Sequence, residues 1–265
     1  MDNLREDLTA INENDILYLA SYVGKLILES GGETYRAEDM VDKICNHYGL
    51  ESNSFAVLSS ILTTIRGRER RFFTNIEKIR MRTINVEKIS KLSSLVRDID
   101  SYKFKEFLEK VKEIDDEKPY RFFYVLIGNC IAAGAFAYYF GGNRGSCIAS
   151  IIGAISVSLL GDFSAKLMIN KFFLNLVGGM TCSFSAYICF LLGIIPEISV
   201  TIISTLMLLV PGIAFTNSIR DLITGDLVSG IARGVEAFMV GTALAIGSGI
   251  TLSIIKTLGG LLWVQ

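Results

Sequence analysis

Histidine is almost missing from this chain of 265 residues: His47 is the single one, beside one tryptophan and three prolines. With no second histidine there is no paired-His metal motif, and around His47 no Ser-His-Asp or Cys-His set can be proposed. The five cysteines, Cys45, Cys130, Cys147, Cys182 and Cys189, form no CxxC pair. Four of them lie in apolar runs and read as small buried hydrophobes. Gly-rich phosphate loops and nucleophile elbows are absent. So is any excess of one charge: 26 Lys and Arg stand against 27 Asp and Glu, a net of -1. Nucleic-acid binding, which rests on phosphate neutralisation, has no support. The polar N-terminus MDNLREDLTAINENDI lacks the apolar core of a signal peptide, so the N-terminal region is expected in the cytoplasm. No metal or cofactor is implied.

The largest deficit is local. Residues 1–121 hold almost all the charge, and from Phe122 onward charged residues are sparse in a chain that is 51% hydrophobic. This divides the protein into a water-facing domain, 1–119, and a lipid-facing domain, 120–265. In the first, Ile16, Leu19, Ala20, Val23, Leu26 and Ile27 recur at helical spacing until Gly31 and Gly32 end the run. A second helix from about Thr34 to His47 buries Ala37, Met40, Val41, Ile44 and Cys45, and Gly49 stops it. Residues 52–80 are rich in β-branched and aromatic types and predict two or three antiparallel strands. Phe55, Val57, Ile61 and Ile65 are expected on one face, with turns at Ser59–Ser60 and at 67–70. Asn85 caps a helix over 86–99, and a last helix, about 103–114, leads to a charged linker ending at Pro119. Glu33, Glu38, Asp39 and Asp42 read as a solvated helix face. The result is an N-terminal cytoplasmic α+β domain.

Five apolar segments follow, at about 122–141, 145–161, 172–194, 198–215 and 235–256, each near the roughly 20 residues that cross a bilayer core as a helix. The fold class is therefore an α-helical integral membrane protein with about five transmembrane helices, and its glycines and alanines predict a close-packed bundle. Lys118, Arg121, Lys166, Lys171, Arg220 and Arg233 flank the spans on one side and place the N-terminus inside, although Arg144 and Lys256 run against the rule.

Polar residues in or near spans are costly and mark function. Asn129, Asp162, Asn175 and Glu197 are candidates, with Asp162 also readable as an interface residue and Glu197 as a plain loop residue. The richest stretch is 208–237. Pro211 and Gly212 interrupt an apolar run there, so the helix must kink or break, and broken helices expose groups that hold substrates. Asn217, Arg220, Asp221 and Asp226 then follow within one or two turns, and Asn217, Arg220, Asp221 and Thr224 share one helical face. Arg220 can clamp a carboxylate, and Asp221 can pair with it or carry a proton. An ordinary loop with caps and a salt bridge fits the same spacing.

The string PGIAFTNSIRDLITGDLVSGIARGVEA resembles the signature of the threonine/serine exporter family, through Pro211, Gly212, Asn217, Arg220, Asp221, Leu222, Gly225, Ser229, Gly230 and Arg233. Two further segments agree: Ser30, Gly31, Glu33, Tyr35, Arg36, Glu38 and Asp39, and then Arg82, Asn85, Lys88 and Leu92. The head has Gly-Gly-Glu where the family often has a Gly-Ala pair. The resemblance, over about residues 14–260, implies a multi-pass protein of the inner (plasma) membrane that is not an enzyme. It implies proton-driven export of small amino acids or related carboxylates, and a separate small membrane subunit that completes the transporter. A membrane-anchored enzyme or a regulatory subunit, with the activity in the head, is the alternative; the single histidine and the polar cluster after Pro211 weigh against it.

Overall fold

The computed structural model describes residues 11–67, 70–165 and 170–259. Arg68 and Glu69 of the expected turn, and Lys166 of the orientation argument, lie outside the described residues, as does most of the polar N-terminus. The chain forms two compact units, Met1–Lys118 with Ile213–Gly234, and Pro119–Gly212 with Val235–Gln265. The sequence reading puts the boundary in nearly the same place but keeps Ile213–Gly234 in the second half. The difference has a chemical cause: this segment carries charges whose partners are in the first unit, as described below.

In the first unit, α1 (Glu13–Glu29) begins at Asn12, whose side chain accepts from the Asn14 N–H at 3.0 Å. It ends at Gly31, whose φ of +82° only glycine adopts without strain. The N–H groups of Gly31 and Gly32 return to the carbonyls of Leu28 and Ile27 and close the helix end. Next come α2 (Thr34–His47) and a three-stranded antiparallel sheet of β1 (Glu51–Val57), β2 (Ser60–Arg66) and β3 (Phe72–Lys78) in the order β1-β2-β3. Helices α3 (Val86–Arg97), capped by Asn85 as expected, and α4 (Phe104–Asp115) follow. One core joins Leu19, Val23, Ile44, Ile61, Leu92 and Phe107.

One expectation fails. Ile61 and Ile65 do face the core, but Phe55 is 56% exposed and Val57 is only partly covered. The hairpin turn is Leu58–Ser59, and the register pairs Ala56 with Ile61 and Phe55 with Leu62. Alternation does not carry across a turn, and an offset of one residue moves a whole set of side chains to the other face.

The second unit contains α5 (Phe122–Tyr139), α6 (Arg144–Ala165), α7 (Lys171–Leu191) and α8 (Ser199–Leu206). Two more helices bridge the unit boundary in sequence, α9 (Gly212–Thr224) and α10 (Leu227–Gly259). Among the described residues four helices are long and apolar enough to cross a membrane: Phe122–Tyr139, Arg144–Ser164, Lys171–Leu191 and Leu227–Thr257. Their outward faces are apolar, with Phe123, Ile131, Tyr138 and Phe238 all more than half exposed, which is costly in water and neutral in lipid. The apolar segment at 198–215 is not one helix. It stops at Leu206 and resumes at Gly212, because Pro211 has no N–H to give and its ring excludes the preceding turn.

Candidate functional site

The polar cluster forms around a glycine end and a glycine turn. Gly31 and Gly32 cannot continue α1, so their carbonyls point outward from its end. The family-like segment before α3 holds this end: the Thr83 N–H bonds Glu29 O at 2.8 Å, and the Asn85 N–H bonds Ser30 O at 3.0 Å. A Cβ on Gly31 would meet Thr83 O at 2.9 Å, so the close approach also requires glycine. The second element is the α9–α10 hairpin. Gly225, at φ +98°, reverses the chain, and the Asp226 N–H returns to Asp221 O at 2.9 Å. Ser218 donates to Gly230 O at 2.7 Å and ties the two helices together.

Side chains of this hairpin converge on the α1–α2 junction. Asn217 donates to Gly31 O at 3.1 Å. The Arg233 guanidinium reaches Gly31 O at 3.4 Å and Gly32 O at 3.1 Å, and its Nε bonds the Asp221 carboxylate at 3.2 Å. That ion pair is buried, with 6% and 0% of the two side chains exposed. The Thr34 hydroxyl sits between Asp226 at 2.6 Å and Asp221 at 3.3 Å and can donate to either. Glu33 pairs with Arg36 at 2.8 Å and with Arg220. Arg220 is half-exposed and Glu33 is almost fully buried, so one side of this second pair is open to exchange.

Two sequence expectations change. Asp221 pairs with Arg233 and not with Arg220, because Arg233 lies one hairpin turn away and points inward. Glu33 is not on a solvated face. Glu38 accepts from the Ala56 N–H at 2.7 Å, and Asp42 accepts from Ser52 and Ser54; only Asp39, paired with Lys43, fits the solvated description. Arg233, Glu33 and Thr34 are functional candidates that the spacing argument left out of the site. The usable signals were the glycine pair before Glu33 and the glycine turn that brings position 233 back to 221.

The remaining candidates lie in the second unit. Pro211 and Gly212 form the interruption between α8 and α9. Asn129 on α5 donates to Ser158 on α6 at 3.0 Å. Asp162 is on α6, one turn beyond Ser158, and is exposed; Asn175 is half-buried on α7.

The two carboxylates of the cluster titrate in opposite directions. Burial pushes Asp221 above the usual aspartate range, against the pull of Arg233 and Thr34. Burial also acts upward on Glu33, but its own backbone N–H, Arg36 and Arg220 outweigh it and hold it below the usual range. The stability consequences have opposite signs. Asp221 contributes stability below its unfolded value and loses it as pH rises through its folded one. Glu33 contributes above its unfolded value and loses it as pH falls through its folded one. Thermal midpoints against pH should therefore show the acid-side fall flattened in Glu33→Gln. The decline with rising pH just above the ordinary aspartate range should vanish in Asp221→Asn.

A buried Asp–Arg pair fixed by a glycine turn is the local arrangement. Its wider setting comes from comparison. Residues 18–255 match the family model of the threonine/serine exporters. The chain belongs to the threonine/serine exporter family. This is a family of membrane transporters and not of enzymes. A curated relative, the threonine/serine exporter of Corynebacterium glutamicum, is 28% identical over 250 residues, covering 90% of this chain and 51% of the relative. The chain thus spans about half the length of the relative it matches. No solved structure matches.

Proposed function

We propose that this chain is the head-bearing half of a proton-driven exporter of threonine, serine or related small carboxylates, completed by a separate membrane subunit. The head stands in the cytoplasm and the spans lie in the cell's plasma membrane. The carrying observation is the buried Asp221–Arg233 pair, formed by residues of the family signature. A titratable group held above its ordinary range and paired with a cation is a fitting proton acceptor. Protonation of Asp221 weakens its hold on Arg233, and the freed guanidinium gains donors for a substrate carboxylate. Arg220 offers a second, more open seat, where a carboxylate exchanges with Glu33. Pro211, Gly212 and Asn217 belong to the same broken-helix region, and Asn129, Asp162 and Asn175 supply polar groups along the spans. The doubled length of the bacterial relative supports a second membrane half.

Everted vesicles carrying the full chain and its membrane partner test this. Labelled threonine or serine should accumulate under an imposed proton gradient and leak out when the gradient is collapsed. Asp221→Asn and Arg220→Ala, made to the same membrane level, should lose at least about tenfold in initial rate, the scale expected when a charged hydrogen-bond partner is removed. Undiminished uptake in both variants would remove these residues from the pathway. Gradient-independent uptake would remove proton coupling.

A further inference from the structure

In the second unit, α5 and α6 pack through the small apolar residues usual for helices in lipid: Ala133 and Ala137 are fully buried, and Gly134 faces Ile151. The seam among α6, α7 and α8 is different. Ser146 and Ser150 of α6, Ser185 of α7, and Thr201, Ser204 and Thr205 of α8 are all buried. Their convergence is marked by Gly153, where an added Cβ would stand 2.7 Å from Thr205 Oγ1 and 3.1 Å from Ser185 Oγ.

Several of these hydroxyls bond their own helix. Ser185 donates to Cys182 O at 2.9 Å, Ser204 to Val200 O at 2.6 Å and Thr205 to Thr201 O at 2.8 Å. Each keeps lone pairs facing the seam. Ser150 and Thr201 are different again: both are 0% exposed, and neither hydroxyl has a partner. Ser150 lies one turn before Gly153, and Thr201 one turn before Thr205, so both border the same convergence. An unpartnered buried hydroxyl carries the full desolvation cost of its polar group. Alanine would pack as closely without it, as it does between α5 and α6. Six hydroxyls in one seam, two of them with unused donors, therefore call for a guest that both donates and accepts hydrogen bonds.

We infer that this seam is a subsite for the side-chain hydroxyl of the transported amino acid, with Ser150 and Thr201 as its specificity-determining residues; the close approach at Gly153 must widen to admit the guest. The inference rests on the export reading above and deepens it. The subsite distinguishes hydroxylated substrates from their hydrogen or methyl counterparts, because a seam built to bond a hydroxyl is left unpaired by a guest that lacks one. A carboxylate clamp alone cannot make that distinction, since alanine and serine present the same carboxylate.

Vesicles carrying the full chain and its membrane partner provide the test, with threonine, serine, alanine and valine as the labelled probes. The wild type should prefer threonine over valine and serine over alanine. In Ser150→Ala and in Thr201→Val both preference ratios should fall about tenfold, while Thr201→Ser, which keeps the hydroxyl, should retain them. Each variant is compared by ratio, so altered membrane level does not disguise the result. Ratios unchanged in the two hydroxyl-deleted variants, with gradient-driven transport present, overturn the subsite and leave the exporter standing; the seam then holds only water. Absence of gradient-driven transport of any probe in the wild type overturns the exporter reading and the subsite with it.

Discussion

Arg233→Ala is expected to destabilise the protein by about 3–5 kcal/mol, read as a fall in the thermal unfolding midpoint of the detergent-purified chain. The reason lies in what remains. Removing the guanidinium strands the Asp221 carboxylate with 0% exposure, and it strands the carbonyls of Gly31 and Gly32, which lose two of their donors. An unpaired buried charge costs far more than the net worth of the pair it came from. The double variant Asp221→Leu with Arg233→Met therefore should recover the part of the loss that comes from the unpaired charge, although the Gly31 and Gly32 carbonyls still lack the guanidinium donors. It should not recover transport. A double variant that regains both would show that the pair only joins α9 to α10, and the proton-acceptor role would fall. Asp221→Asn separates the effects from the other side. It keeps the volume and an acceptor but abolishes titration, so its transport should be lost at every pH while the fold is weakened less than in Arg233→Ala.

Much of this arrangement was legible before any coordinates. Helix ends at Gly31 and Gly49, the Asn85 cap and four of the five expected spans follow from short-range rules, in which one residue type meets one backbone requirement. The break at Pro211 belongs with them, since a missing N–H is a local fact. What could not be read was pairing across the chain. Glu33 sits in a helical pattern that looks solvated, and only the arrival of Arg220, 187 residues later, makes it a buried partner. The same holds for Arg233, which looks like a flanking cation until Gly225 turns it back onto Asp221. The error in the sheet has a different origin. Phe55 and Ile61 are both apolar and evenly spaced, but a two-residue turn lies between their strands, and the register rather than the spacing decides which face each takes. The hydroxyl seam was invisible for a third reason: serine and threonine in a span are ordinary, and the burial without a partner that Ser150 and Thr201 share with Ser183 does not show in the sequence.

The second large effect is expected at Gly247. Here α7 and α10 meet backbone against backbone: a Cβ on Gly247 would collide with Leu176 O and stand 3.1 Å from Met180 N, and a Cβ on Gly179 would collide with Leu244 O. Ser248 uses the approach to donate to Gly179 O at 3.1 Å. Neither collision is with the end of a flexible side chain, so neither can be relieved by a rotamer change; the helices themselves must separate. In lipid this is severe, because tails solvate an exposed apolar helix face as well as another helix does, and close van der Waals contact is the main force holding the pair. Gly247→Val should thus cost at least the roughly 1–3 kcal/mol of ordinary overpacking, with the loss of the Ser248 bond added, and should lower the unfolding midpoint or the yield of monodisperse protein. Gly249→Val is the control. It lies on the same helix, two residues on, with nothing within 4 Å of the added Cβ, so a merely poorer helix former or a bulkier side chain should act alike at both positions. A midpoint that falls equally in both variants would refute the close contact as the cause. A fall confined to Gly247→Val would locate the stability of this helix pair in the contact between their backbones.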